Sequence, residues 1–176
     1  GAKIPIAFNG SGRAPAAATV EWYRAQGITS IERQTPHSVI IPGVIDAWHQ
    51  LNKDHGTMEL GELLTTAIDF AKNGYAITER VSADWHSQFD LLKNDANTRK
   101  RFLPDGRAMD PGDVHHQPEL AVTMEKIAKY GRDAFYTGDI AEDMVSYLQS
   151  LGGLHTMEDF ANAKGDYVSP IKTHFC

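Results

Sequence analysis

The sequence has almost no cysteine: one residue, Cys176, at the last of 176 positions. No intrachain disulfide can form, no paired-cysteine zinc site exists, and the redox compartment stays open. Long apolar runs are missing too. Nothing approaches the roughly 20 residues needed to cross a bilayer, so no membrane span is expected. The first residues hold no charged-then-apolar leader, and any leader would lie upstream of residue 1, which leaves cytoplasmic, periplasmic and secreted locations all open. Basic residues are the minority, 17 Lys and Arg against 23 Asp and Glu, and a formal charge of −6 argues against a nucleic-acid partner. The densest basic run, "TRKRF" at 98–102, reads as a solvated face.

What is present is a globular composition, 41% hydrophobic and 23% charged. A chain of this length holds one sizeable core or part of a larger one. Apolar residues recur at helical spacing in several stretches. After Pro15, "AAATVEWYRAQG" predicts a short helix closed by Gly27. From Pro42, Val44, Ile45, Trp48 and Leu51 mark a second helix that stops at Gly56. Leu60, Leu63, Leu64, Ala67, Ile68 and Ala71 share one face of a third. Thr78 predicts the N-cap of a helix through "ERVSADWHSQFDLLKN", and "FLPDGRAMDPGD" predicts a surface excursion. Further helices follow Pro118, with Leu120, Met124, Ile127 and Ala128 inward, and then run from Ile140 to Leu151. Thr156 with Asp159 resembles a capping box. Strands are expected in "KIPIAFNG" and "YVSPIKTHFC". The expected fold class is mainly α with short strands near both ends, and a chain that opens and stops in strands is expected to be cut from a longer protein.

One short stretch stands apart. "FNGSGRAP", residues 8–15, sets Gly10, Ser11, Gly12 and Arg13 between an apolar run and an alanine-rich one. The glycines allow positive φ and close approach, and Pro15 suits a helix start. The stretch reads as a small-anion site of backbone N–H groups, a hydroxyl and a guanidinium, and equally as an ordinary turn.

No complete catalytic set emerges. The eight histidines lack metal-ligand spacing, with His115 and His116 adjacent and no HExxH, so no metal is expected. Ser11 lacks the GxSxG elbow of a serine nucleophile. Asp105, Asp110 and Asp113 lack the register of a calcium loop and read as turn carboxylates.

The order of motifs carries more. "RAPAAAT", "VIIPGVIDAW", "HGTMELGELLTTAIDFAKNGYAITER", "FLPDGRAMDPGD", "QPELAVTMEKIAKYGRDAFYTGDIAEDMV", "GGLHTMEDF" and "PIKTHF" follow one another as in the large subunit of the gamma-glutamyltranspeptidases. The chain is similar to that subunit along nearly its whole length, as a single segment, 1–176. The resemblance implies a fragment of an α/β/β/α N-terminal-nucleophile hydrolase. Such a protein is made as a precursor that cleaves itself before a threonine. That threonine then passes an acyl group to water or an amine, without a cofactor. The nucleophile's segment falls beyond Cys176, so no catalytic residue is expected within this chain, which by itself is expected to be inactive. The implied partners are a small acyl amide or γ-glutamyl substrate and the small subunit of the same precursor.

The resemblance also implies that "SGRAP" is the substrate loop, with Ser11, Gly12 and Arg13 as its binding residues. The family places a carboxylate-clamping arginine where this sequence has Ser11, and Arg13 lies two residues on. A hydroxyl offers neither the charge nor the paired donors of a guanidinium. The departure points toward a paralogue acting on other acyl amides, amidohydrolase or cephalosporin-acylase-like.

Overall fold

The computed structural model describes residues 5–173. Cys176 and the outer parts of both terminal strand expectations lie outside the described residues. In chain order the elements are β1 (Ala7–Asn9), α1 (Val20–Ala25), α2 (Val44–His55), α3 (Leu60–Asn73), β2 (Tyr75–Ala76), α4 (Glu79–Ser87), α5 (Phe89–Leu92) and α6 (Ala96–Phe102). There follow β3 (Val114–His115), α7 (Pro118–Tyr130), α8 (Asp133–Tyr136), α9 (Asp139–Ser150), α10 (Met157–Ala161) and β4 (Asp166–Val168). The chain divides into two compact units, one of residues 1–63 with 126–176 and one of residues 64–125.

In the first unit β1 pairs antiparallel with β4, Ala7 opposite Val168 and Asn9 opposite Asp166. Helix α1 begins later than Pro15 suggests. The Pro15 carbonyl accepts the Ala18 N–H in a turn, and Thr19 then caps the helix by accepting the Trp22 N–H at 3.1 Å. A hydroxyl able to satisfy an orphan amide fixes the start more strongly than a proline that merely tolerates it.

Of the four residues that its periodicity groups, helix α2 buries only Ile45. Ile45, Asp46 and Ala47 are inside, while Val44, Trp48 and Leu51 form a stripe open to solvent. The buried Asp46 carboxylate takes the Arg132 guanidinium at 2.5 Å and the Gly165 N–H at 2.8 Å. Arg132 also donates to the carbonyls of Ala161 and Ala163 and lies 4.6 Å over the ring of Tyr136. The Tyr136 hydroxyl, fully buried, donates to the Pro42 carbonyl at 2.6 Å and accepts the Asp46 N–H at 3.1 Å. Burial alone would lower the Arg132 pKa, but the Asp46 and Asp133 carboxylates hold it above the ordinary value. Burial raises the Tyr136 phenol. Every buried polar atom in this knot has a partner, as burial of charge requires.

Nearby, Ala141 and Val145 of α9 and Phe160 of α10 fill the apolar interior, whereas Leu151 stays exposed. Helix α10 opens with the expected capping box, Asp159 standing in for the usual longer acid.

In the second unit Ala71 of α3 packs with Ala121 and Met124 of α7, and Ile68 covers them. Leu64 is buried, but Ala67 and Leu120, expected inward, are exposed, as are Phe70 and Val122. Thr78 caps α4 as expected. The helix predicted to continue through Asn94 is interrupted at Gln88, whose φ of −102° and ψ of 7° leave the helical range, although its N–H still donates to the Asp84 carbonyl at 3.1 Å. The segment at 102–113 is not wholly a surface excursion: Leu103, Ala108 and Met109 are buried. Two backbone bonds of 2.8 Å, from Gly112 to the Ile77 carbonyl and from Ile77 to the Asp113 carbonyl, tie it to the interior. Asp113 is drawn to Arg107 at 2.7 Å, which holds its carboxyl below the usual range. His115 is buried against Trp85, Phe102 and Tyr75, and desolvation lowers its pKa. His116 is exposed.

Candidate substrate pocket

The loop singled out in the sequence lies on a cavity of about 440 Å³ in the first unit. Ser11, Gly12 and Arg13 form one rim, Ile41 and Gly43 another, and Thr156 through Lys164 the far wall. The structure therefore brings the three predicted residues together at one opening, and joins to them two segments that lie far away in the sequence.

Packing explains the glycines better than positive φ does. A Cβ on Gly12 would fall 1.7 Å from the Ile41 carbonyl oxygen, and one on Gly43 2.4 Å from the Gly10 carbonyl oxygen. The two segments touch backbone to backbone, joined by the Ile41 N–H donating to the Arg13 carbonyl at 2.9 Å. Only residues without a side chain permit that approach. The Ser11 N–H turns back to the Asn9 side-chain oxygen at 3.1 Å, which shapes the loop as it leaves β1.

Asp159 fixes the loop from the other side. Its carboxylate accepts the Thr156 N–H and hydroxyl, at 2.9 and 2.7 Å, and its second oxygen takes the Ala16 N–H at 2.8 Å. Burial pushes the group up, but these three donors prevail and hold it below the ordinary carboxylate value. The same acid thus closes the capping box and anchors the chain just past the 11–13 loop. The sequence disclosed the first role and not the second.

The charges around the cavity are few. The Arg13 guanidinium reaches Asp166 at 3.2 Å, with both side chains more than half exposed, so the pair is weak. Lys164 makes no ion pair among the described residues, and Glu158 supplies a carboxylate on the same wall. No group of three His, Cys, Asp or Glu residues close enough to hold a metal occurs among the described residues. No helix there is long and apolar enough to cross a membrane.

Residues 2–176 match the gamma-glutamyltranspeptidase family. The chain belongs to that family. It is 32% identical to the glutathione hydrolase-like YwrD proenzyme of Bacillus subtilis, over 96% of this chain and 32% of that protein. Among solved structures it resembles a cephalosporin acylase from Bacillus halodurans, with a TM-score of 0.90 and 31% identity, over 96% of this chain and 33% of that one. It also resembles the gamma-glutamyltranspeptidase of Helicobacter pylori, with a TM-score of 0.86 and 26% identity, over 94% of this chain and 49% of that one. The chain thus spans about a third of the length of the curated relative. The mainly helical segment with short strands near both ends is a portion of the N-terminal-nucleophile hydrolase fold.

Proposed function

We propose that this chain is part of the large subunit of a gamma-glutamyltranspeptidase-like amide hydrolase or transferase, and that the cavity beside Ser11–Gly12–Arg13 receives the acyl part of its substrate. The observation that carries the reading is the convergence of this loop with the 41–43 and 156–164 segments around one opening. The nucleophile comes from a threonine outside these 176 residues. Its hydroxyl attacks the amide carbonyl while its own α-amine takes the proton. The leaving amine departs reprotonated, and water or an acceptor amine then releases the acyl group. The chain alone is inactive, since nucleophile and base are one residue that it lacks. The exposed stripe of Val44, Trp48 and Leu51 on α2 supports a companion segment or small subunit that covers it.

A second reading, a substrate with a non-glutamyl acyl group, is favoured by Ser11. The position where the family clamps a carboxylate carries a neutral hydroxyl here, and the nearest guanidinium, Arg13, is turned toward Asp166.

Steady-state kinetics on the full-length protein with a γ-glutamyl anilide and a pentanoyl anilide test both. Loss of a charge-assisted pair weakens binding about ten- to a hundredfold. If the second reading holds, pentanoyl anilide is the better substrate by kcat/KM, and Ser11→Arg with Arg13→Thr reverses the preference. If Arg13 reads the carboxylate, Arg13→Ala alone abolishes glutamyl turnover. Strong glutamyl activity indifferent to Arg13→Ala refutes the assignment of this loop.

A further inference from the structure

The knot of Asp46, Arg132 and Tyr136 touches the cavity at both of its inner walls without lining it. On one side Tyr136 holds the Pro42 carbonyl and the Asp46 N–H, which bracket Gly43 at the start of α2. On the other, Arg132 holds the carbonyls of Ala161 and Ala163, and Asp46 holds the Gly165 N–H. Residues 161, 163 and 165 are thus pinned by their backbones. Within this stretch Ala163 itself lines the cavity, as do Asn162 and Lys164 on either side of it. Arg132 and Asp46 are nearly enclosed, with side chains 19% and 6% exposed, so the pinning acts in a medium where a lost partner is costly.

We infer that Asp46, Arg132 and Tyr136 are positioning residues that set the separation of the 41–43 and 161–165 walls, and with it how Asn162 and Lys164 meet the acyl group. The inference rests on the cavity being the acyl site. A planar guanidinium suits the task because its fork serves a carboxylate and two carbonyls at once, which an ammonium on a flexible stem does not. The phenol suits it because one oxygen both donates and accepts.

The test uses the full-length protein with Tyr136→Phe and Arg132→Lys, which keep the ring and the charge, respectively. On this reading the acyl chain of pentanoyl or γ-glutamyl anilide is long enough to extend toward the far wall, and that of acetyl anilide is too short to do so. The expected result is a rise of about tenfold in KM for the long acyl anilide relative to acetyl anilide, with the ratio of their kcat values held. A merely structural role lowers the active fraction and moves both substrates alike, and that outcome overturns the inference. If wild type cleaves none of these anilides, the proposed function fails and hydrogen exchange decides the positioning role separately. Arg132→Lys should then speed exchange across 161–165 about tenfold while α9 stays protected. Unchanged exchange at 161–165, or equal loosening of α9, overturns it.

Discussion

Replacing Gly12 with alanine tests the backbone contact that shapes the pocket. The new Cβ would lie 1.7 Å from the Ile41 carbonyl oxygen, whereas real Cβ contacts are essentially never closer than 3.0 Å, so the two segments must part by about 1.3 Å. The obstacle is backbone and cannot rotate away. A shift of that size breaks the 2.9 Å bond between the Ile41 N–H and the Arg13 carbonyl. A lost hydrogen bond costs about 1 kcal/mol and forced overpacking about 1–3 kcal/mol, giving roughly 2–4 kcal/mol in all. Gly27→Ala is the matched control. Its φ of 71° penalises a side chain, but the space around it is open, so the cost is about 1–2 kcal/mol. Urea unfolding of wild type and both variants, with the slope unchanged, measures the difference. Gly12→Ala should lower the midpoint further than Gly27→Ala. A Gly12→Ala midpoint equal to wild type would show that the loop is not held against residue 41.

Two more outcomes follow from buried and capping groups. His115 favours its neutral form in the folded state, so its contribution to stability is complete above the ordinary histidine value of 6.5 and is lost as pH falls below it toward the lowered folded value. His115→Phe should flatten the fall in stability between pH 7.5 and 5, and an unchanged slope would contradict the burial argument. Asp159→Ala removes the acceptor of three hydrogen bonds and should cost about 1–2 kcal/mol. It should also speed amide exchange at Ala16, and a variant with wild-type protection there would show that the acid serves only the cap.

Local chemistry was legible in the sequence wherever it was settled within a few residues. Thr78 and the Thr156–Asp159 box cap their helices as written, and Gly27 ends α1 with positive φ. The order of motifs placed the chain in its family, and the glycine-bearing stretch at Ser11 that stands apart in the sequence lines a cavity. What periodicity could not supply was the direction of each face. Helix α2 has an apolar stripe, yet a carboxylate faces inward, because Arg132, 86 positions away, neutralises it. Nothing around Asp46 announces that partner. Buried Leu103, Ala108 and Met109 were hidden for a related reason: turn residues mark a change of direction, and only the distant bonds to Ile77 decide whether the turn lies on the surface. Lys164 gave no signal at all, since it reaches the cavity through backbone bonds made by its neighbours.

The discontinuity of the first unit sets an order of events during synthesis. Its early half ends at residue 63 and its late half begins at residue 126, so the rims made by residues 11–13 and 41–43 leave the ribosome long before the wall at 156–164 exists. At translation rates of roughly 5–20 residues per second, the delay is on the order of ten seconds. Residues 64–125 have their own contacts within reach and can form them during that time. The early segment can form its contact between residues 13 and 41, but its strand waits for Asp166–Val168, and Asp46 waits for Arg132. Pro5, Pro15, Pro36 and Pro42, with Gly10 and Gly12, interrupt that stretch and deny its exposed Val39 and Ile40 a continuous strand through which nascent chains could pair. Composition that looks like mere punctuation in the finished protein guards the unfinished one.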